Sequence, residues 1–276
     1  MILLDVRHLG VERVIASYLV ETDDGLALFD CGPTSTLENL RAALTAAGVA
    51  VGDLRHLLLS HIHLDHAGAA GPLVRENPSL RVHVSAVGAP HLVDPSRLER
   101  SARRLYGEHF DRLWGELAPV PETNIEIAGD RVVGLDCFPT VGHASHHISY
   151  LSADGTLLAG DAAGVRIVPS AYVMPPTPPP DIDVEGWYAT IDEIERRGPA
   201  RLALIHFGVV DDVGRHLGDL RERLGLWAER VRSGMDEEEF TEAAFGELSQ
   251  DDRELFAHAI PPWQSYLGLK RYWEKR

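Results

Sequence analysis

The chain has 276 residues, of which 45% are apolar and 25% charged, the balance of an ordinary soluble globular protein. Its net charge of −16 argues against duplex nucleic acid as a partner, because binding phosphates requires a basic surface. No apolar run reaches the length of a membrane span, and the two separate cysteines, Cys31 and Cys137, exclude a disulfide scaffold. We therefore expect a cytoplasmic protein with no nucleic-acid or membrane partner.

The first half of the chain alternates between strand and helix patterns. A hairpin is expected around the turn Asp23-Asp24-Gly25, and Ser35 with Glu38 predicts a capping box at the start of a helix that ends at Gly48. Apolar spacing predicts strands at 11–20, 26–29, 54–60 and 81–85, and helical segments at 35–48, 73–76 and 95–117.

The second half begins with strands and ends with helices. Strands are predicted at 125–127, 131–138, 147–151, 156–158 and 201–205, and helices at 184–197, 211–231, 237–248, 251–260 and 262–275. Between them, 166–183 carries six of the 17 prolines and is predicted to be an irregular loop. The pattern favours an α/β fold with mixed sheets over residues 1–210, followed by a helical extension, 211–276, packed on it.

The strongest chemical signal follows the predicted strand at 54–60. His61, His63, Asp65 and His66 place three imidazoles and a carboxylate within six residues. These are the ligands that suit zinc, iron or manganese. Side chains alternate along an extended segment, so His61 and His63 point the same way, while Asp65 and His66 come from the following turn and can face a second ion. A histidine-rich surface turn is the alternative interpretation.

Three further candidate ligands also occur where predicted strands end. His143 lies in a glycine turn, Asp161 follows Gly160, and His206 closes the short strand at 201–205. Each alone is weak evidence, because a histidine after a strand is more often a hydrogen-bonded structural residue. Together they supply the additional donors that two metal ions need.

The order of these motifs resembles that of the metallo-β-lactamase superfamily of metal-dependent hydrolases. The resemblance covers roughly residues 1–210 and implies a four-layer αβ/βα sandwich of two mixed β-sheets flanked by helices, with the site at the sheet edges. It implies a first ion on His61, His63 and His143, a second on Asp65, His66 and His206, and Asp161 bridging both. Asp30 would not bind metal itself but would fix the orientation of a metal-binding residue. An aspartate that only initiates a turn is an equal alternative.

One segment departs from the family pattern. At 140–147, Val141 stands where proline is usual, Ala144 replaces the second threonine and His146 replaces the second glycine. His147 matches a supporting histidine of the family rather than a ligand. His146 has no counterpart, and we expect an exposed loop histidine.

The resemblance implies a dinuclear hydrolase acting on a small-molecule thioester, ester or lactone, similar to glyoxalase II or the acyl-homoserine lactonases. Two divalent ions, zinc first and iron or manganese as alternatives, would share a hydroxide, and Asp65 would accept its proton. The alternatives are an oxidoreductase similar to the iron-dependent persulfide dioxygenases, a phosphodiesterase or nuclease of the ribonuclease Z type, and a non-enzymatic metal-binding module.

The sequence also suggests which segments form the pocket and whether the chain forms a dimer. The segment 89–114 and the proline loop are the expected pocket walls, but His91 is expected at the surface, Tyr106 and Trp114 in the core, and Tyr172 has no assigned role. The aromatic C-terminal residues predict a final helix packed on the domain, with a homodimer interface as the alternative. They are Trp263, Tyr266, Tyr272 and Trp273.

Overall fold

The computed structural model describes residues 1–276 and contains two six-stranded mixed sheets. The strands of the first sheet are β1 (Ile2–Asp5), β2 (Ala16–Thr22), β3 (Gly25–Phe29), β4 (Leu54–Leu58), β5 (Arg81–Val84) and β6 (Ile125–Ile127), in that spatial order. In the second sheet the strands also lie side by side in chain order, and they are β7 (Arg131–Val132), β8 (Leu135–Pro139), β9 (Ile148–Leu151), β10 (Thr156–Gly160), β11 (Arg201–Leu204) and β12 (Gly208–Val210).

Each sheet joins antiparallel hairpins to parallel strands. β3, β4, β5 and β6 are parallel in the first sheet, and β10 and β11 are parallel in the second. Parallel strands need crossover connections, which helices supply. The helices are α1 (Leu37–Ala46), α2 (Leu64–Ala67), α3 (Ala70–Glu76), α4 (Ala89–Val93), α5 (Ser96–Tyr106), α6 (Phe110–Trp114), α7 (Val184–Arg197), α8 (Val213–Arg232), α9 (Glu237–Gly246), α10 (Gln250–Ala259) and α11 (Pro262–Glu274).

The two sheets pack face to face, and tyrosines connect them. Tyr18 on β2 donates a hydrogen bond to the carbonyl of Leu204 on β11, at 2.7 Å. Tyr150 on β9 donates to Leu59 at 3.0 Å and meets Phe29 edge to face. Helices cover the outer faces through apolar stripes such as Trp187, Ile191 and Ile194 of α7, all fully buried. The predicted four-layer αβ/βα sandwich is therefore confirmed. No helix combines the length and the apolar character needed to cross a membrane.

The C-terminal helices α8 to α11 share the hydrophobic core of the sheets. Leu217 and Trp227 of α8, Phe240 of α9 and Leu269 of α11 are fully buried in that core. At the aromatic C-terminal end, Tyr266 and Tyr272 are buried and Trp273 donates to the carbonyl of Ala228 at 2.9 Å. The division of the chain at residue 210 stays a prediction.

Several predicted boundaries in the first half were wrong. The first strand, β1, has no strong pattern, and the strand predicted from residue 11 begins only at Ala16. The capping box does not form, because the Ser35 hydroxyl donates to the carbonyl of Leu113 and the helix begins at Leu37. The helical stretch 95–117 is divided at Gly107, whose φ of 55° lies in the left-handed region.

The turn at Gly129-Asp130 joins two different sheets rather than two strands of one hairpin. β6 pairs with β5 in the first sheet, whereas β7 pairs with β8 in the second. The predicted strand 131–138 is itself a tight hairpin, with Val133 at a φ of 40° and Gly134 at 92°. The chain therefore crosses from one sheet to the other at this turn.

Candidate metal centre

The seven predicted ligands meet at one edge of the sandwich, where strands end. His61 follows β4, His63 precedes α2, and Asp65 and His66 lie in its single turn. From the second sheet, His143 lies in the loop after β8, Asp161 directly follows β10, and His206 follows β11. Both sheets therefore contribute donors to a common site, as expected where loops connect the carboxyl ends of strands.

The first group of donors is made of three histidines. The Nε2 atom of His61 lies 3.0 Å from Nδ1 of His63 and 3.2 Å from Nε2 of His143, and the last two atoms are 2.9 Å apart. His143 uses its other nitrogen, Nδ1, to donate to the carbonyl of Pro176 at 2.8 Å. Its Nε2 atom therefore carries a lone pair and not a proton.

The environment of these three imidazoles favours their neutral form. Burial lowers the pKa of His61 and His63 well below 6.5, and the neighbouring histidines lower it further. Burial also lowers the pKa of His143, although Asp161 opposes the shift. Neutral nitrogens that converge this closely repel one another unless protons or a cation lie between them.

The second group consists of Asp65, His66 and His206. The Nε2 atoms of His206 and His66 lie 3.4 Å and 3.8 Å from Oδ2 of Asp65. His206 donates from Nδ1 to the carbonyl of Val14 at 2.6 Å, so its Nε2 atom also presents a lone pair when the ring is neutral. Backbone carbonyls thus orient one histidine in each group.

Asp161 lies between the two groups. Its Oδ2 atom is 3.5 Å from Nε2 of His143, and its Oδ1 atom is 3.4 Å from Nε2 of His66 and 3.7 Å from Nε2 of His206. Burial alone would raise the pKa of Asp161, but His66, His206 and His143 hold it well below 3.8. Asp161 is therefore ionised and offers one oxygen to each group.

The donor set fits two divalent cations. Nε2 of His66, Nε2 of His206 and Oδ1 of Asp161 are buried and have no hydrogen-bond partner in the protein. Buried polar atoms are normally paired, so three such atoms in one place indicate a ligand between them. Donor atoms of each group lie within 4.8 Å of one another. Imidazole and carboxylate are the donors that zinc, iron and manganese accept.

Asp30 supports the site from behind, at the end of β3. Its fully buried carboxylate accepts hydrogen bonds from the Ser60 amide at 2.7 Å, the Ser60 hydroxyl at 2.6 Å and Nδ1 of His66 at 2.8 Å. The Ser60 hydroxyl lies 2.9 Å from Nδ1 of His61. Asp30 therefore fixes one histidine of each group, and of its two predicted roles the orienting one agrees with this geometry.

His147 holds Asp161 in position through the backbone. Its Nε2 atom accepts the Asp161 amide at 3.1 Å, and Nδ1 faces the Thr140 hydroxyl at 2.8 Å. Gly160 makes this approach possible, because a Cβ there would lie 2.5 Å from Cβ of Ser60 and 2.6 Å from Nε2 of His147. The prediction of a supporting role for His147 agrees with these contacts.

The prediction for His146 was wrong. The side chain is 7% exposed and stacks on His61, with ring centroids 5.9 Å apart. Its Nδ1 atom accepts the Ile62 amide at 3.4 Å, and burial lowers its pKa to about 4. His146 is therefore a neutral packing partner of the metal centre, placed there by the same turn that presents His143.

A cavity of about 420 Å³ opens beside the donors. His63, Asp65, His143 and Asp161 form part of its wall. Helices α5 and α6, the residues 178–180 of the proline loop and the segment joining α10 to α11 complete it. His91 and Tyr172 lie outside the cavity, and Tyr172 instead packs on Phe256 and donates to Glu247.

Tyr106 and Trp114 were expected in the core but line this cavity. They meet edge to face, with ring centroids 5.1 Å apart. Helical spacing identifies the face that turns away from solvent, and both a core and an enclosed cavity meet that condition. Both residues also pack against the hydrophobic cluster of Leu64, Ala102 and Phe110, so they lie between this part of the core and the cavity.

Sequence reasoning missed His8 and Gln264, which also line the cavity. His8 lies between two residues at left-handed φ, Arg7 at 48° and Leu9 at 54°, a turn that no residue pattern announces. Gln264 lies in the first turn of α11, next to a predicted aromatic packing residue. No spacing connects either residue with the His61 segment.

Comparison with known proteins identifies a family model and two relatives that match this chain. A model of the metallo-beta-lactamase superfamily matches residues 10–208. The uncharacterized protein YobT of Bacillus subtilis (strain 168) is 28% identical over 153 residues, which span 54% of this chain and 62% of that protein. The Type A flavoprotein fprA of Rhodobacter capsulatus is 26% identical over 148 residues, spanning 54% of this chain and 31% of that protein. The chain thus spans less than two thirds of both curated relatives.

Solved structures share the fold at low sequence identity. The metallo-beta-lactamase family protein TTHA1429 from Thermus thermophilus aligns with a TM-score of 0.68 and 21% identity, over 95% of this chain and 88% of its own. The archaeal metallo-beta-lactamase superfamily protein ST1585 from Sulfolobus tokodaii gives 0.67 and 19%, over 92% and 93%. TTHA1623, solved in a di-iron-bound form, gives 0.57 and 23%, over 76% and 93%.

Proposed function

This chain belongs to the metallo-β-lactamase superfamily, and on that premise we propose that it is a dinuclear metal-dependent hydrolase of a small-molecule thioester, ester or lactone. The observation that carries the proposal is the position of Asp161. One of its carboxylate oxygens faces His143 of the first donor group, and the other faces His66 and His206 of the second. A carboxylate shared in this way suits two cations held side by side.

The proposed ligand sets follow the two donor groups. His61, His63 and His143 bind the first ion, Asp65, His66 and His206 bind the second, and Asp161 binds both. Zinc is the proposed metal, because imidazole and carboxylate donors with an open position suit it. When bound, the two ions would supply Lewis acidity and a water of lowered pKa beside the cavity.

Asp65 is the proposed proton acceptor. Asp65 and His63 are the two proposed ligands that are not fully buried, and the side chain of Asp65, which lines the cavity, is 16% accessible. Burial would raise the pKa of Asp65, but His66 and His206 outweigh burial and hold it below 3.8. The carboxylate is therefore ionised at neutral pH and able to accept a proton from the attacking water.

The two cysteines do not compete with this chemistry. Cys31 is fully buried, and Cys137 is buried as well. Burial raises the pKa of the Cys137 thiol to about 12, so it is protonated at neutral pH. Neither cysteine lines the cavity, which argues against a covalent intermediate on a cysteine.

A redox function is the second candidate. It is favoured by the likeness to a flavoprotein, although that likeness spans only 31% of the flavoprotein's length, and by the likeness to a di-iron-bound structure. An iron-dependent persulfide dioxygenase would bind its iron through the same residues at the edge of the sandwich. The pair of three-donor groups around Asp161 favours two ions over the single iron of a persulfide dioxygenase.

Metal analysis and activity measured on the same sample test the proposal. We expect two zinc ions per chain and hydrolysis of thioesters, aryl esters or lactones that a chelator abolishes and zinc restores. The variant His143→Ala should lose an ion, whereas His91→Ala, which alters a histidine outside the cavity, should keep both. One iron per chain with oxygen uptake on glutathione persulfide would overturn the proposal in favour of the redox function.

A further inference from the structure

Most of the surface that lines the cavity is apolar. Leu98, Leu105, Trp114, Ile260 and Trp263 contribute to it. Among all lining residues, Arg112 is the one lysine or arginine, and its side chain is exposed. A wall of this kind favours a ligand with an apolar body.

Gln264 places an amide in this apolar lining, and only the oxygen of that amide has a hydrogen-bond partner in the protein. The residue is only 8% exposed. Its Oε1 atom faces the Tyr106 hydroxyl at 3.5 Å, and its Nε2 atom has no hydrogen-bond partner in the chain. Nε2 is not sealed from solvent, and Gln264 lines the cavity. This amide donor is therefore free to donate a hydrogen bond to a ligand bound in the cavity.

His8 adds a second uncharged polar group to the same cavity. It is 4% exposed and stacks on Trp114, with ring centroids 5.6 Å apart and planes 15° apart. Its Nδ1 atom is buried without a partner. Tyr106 and Gln264 therefore give the cavity polar groups that are suited to exchange hydrogen bonds with uncharged atoms, and the imidazole of His8, whose Nδ1 atom is sealed from solvent, also lines it.

We propose that Gln264 is a specificity-determining residue, and that its amide donates a hydrogen bond to a carbonyl of an uncharged substrate with an apolar chain. The inference rests on the proposed hydrolase function and narrows its substrate class. It disfavours substrates with a charged carboxylate at the far end, because the enclosed wall offers no permanent cation to pair with one. The recognising residue lies in α11, outside the 10–208 family match.

Three aryl esters with the same four-methylene spacer test whether the cavity prefers an uncharged carbonyl, a carboxylate or an apolar group at the far end of the substrate. They are the hexanoate, the adipate half-ester with its free carboxylate, and the 5-acetamidopentanoate. We expect kcat/KM to be highest for the acetamido ester and about 10-fold lower or more for the adipate. The Gln264→Leu variant should lose about 5- to 10-fold in kcat/KM on the acetamido ester, mainly through KM, and lose its preference over the hexanoate.

Matched controls isolate the cavity contact. Gln250→Leu makes the same chemical change at an exposed position of α10, and Tyr188→Phe removes a hydroxyl outside the cavity. Both should retain the wild-type order of the three esters. Tyr106→Phe removes the hydroxyl that faces Gln264 and should weaken the acetamido preference, so it decides the question if Gln264→Leu does not fold.

Binding to the zinc-free protein provides a readout independent of activity. The non-hydrolysable 5-acetamidopentanamide should change the fluorescence of Trp114 and Trp263 and bind Gln264→Leu about 5- to 10-fold more weakly. If no ester is hydrolysed but this dependence holds, the proposed function fails and the Gln264 contact stands. Equal kcat/KM for the three esters, or an adipate preference that Arg112→Ala removes, would overturn the inference.

Discussion

Replacement of Asp30 by asparagine tests whether a residue that touches no substrate controls the second metal position. Asparagine keeps the size of the side chain and tolerates the φ of 47° at this position, so the backbone is not strained. The amide has one acceptor oxygen and a donor group, whereas Asp30 accepts three hydrogen bonds, from the Ser60 amide, the Ser60 hydroxyl and His66. One buried donor must therefore lose its partner.

The expected magnitudes follow from that loss. An unpaired buried donor costs about 1–3 kcal/mol in the free energy of unfolding, measured on metal-free protein with urea. His66 also loses its anionic partner, which typically weakens metal binding about 10- to 100-fold. Competition with a chromophoric chelator measures the Kd of each ion, and Asp130→Asn, at an exposed position, is the control. A second-ion Kd within about twofold of the wild type would refute the orienting role of Asp30.

Three further predictions concern the bridge, the pH dependence and the packing of α11. Asp161→Ala should release both ions and lower kcat/KM by about 10³-fold or more, as measured by metal analysis and ester hydrolysis; full activity would contradict the bridging assignment. Glu247 accepts hydrogen bonds from Arg230 and Arg223. Burial raises its pKa, and these bonds outweigh burial and lower it below 4.5. Its stabilising effect is therefore complete above pH 4.5 and lost as pH falls through the folded-state pKa. Glu247→Gln should lower the free energy of unfolding in urea by about 1–2 kcal/mol at pH 7 and by less below pH 4.5. An equal loss of stability at both pH values would exclude the charge as the cause. A Cβ at Gly268 would lie 1.9 Å from the carbonyl oxygen of Thr177, so Gly268→Ala should cost about 2 kcal/mol or more and raise KM, whereas Gly218→Ala, with open space around it, should be neutral or stabilising.

The metal donors could be proposed from sequence because their chemistry is local or occurs at strand ends. His61, His63, Asp65 and His66 lie within six residues, and the glycine turns before His143 and Asp161 mark where strands stop. The strands themselves are buried apolar runs, which periodicity detects. The resemblance then supplied the pairing of these segments, which no spacing within the chain could give.

The residues that sequence reasoning missed depend on contacts between distant segments. His8 reaches the cavity only through a left-handed turn, and Gln264 reaches it only because α11 packs against the proline loop. His146 was misjudged because an isolated loop histidine carries no sign of the imidazole stack that buries it. Long-range packing, rather than local propensity, decides all three environments.

The division of the donors between the sheets has a thermodynamic consequence. His61, His63, Asp65 and His66 belong to the half of the chain with the first sheet, and His143, Asp161 and His206 to the half with the second. Ions bound as proposed would be crosslinks between the halves that exist only in the folded protein. Above its Kd, each tenfold rise in free metal would then add about 1.4 kcal/mol of stability per site. The unfolding temperature of this protein would thereby report the metal supply of its surroundings.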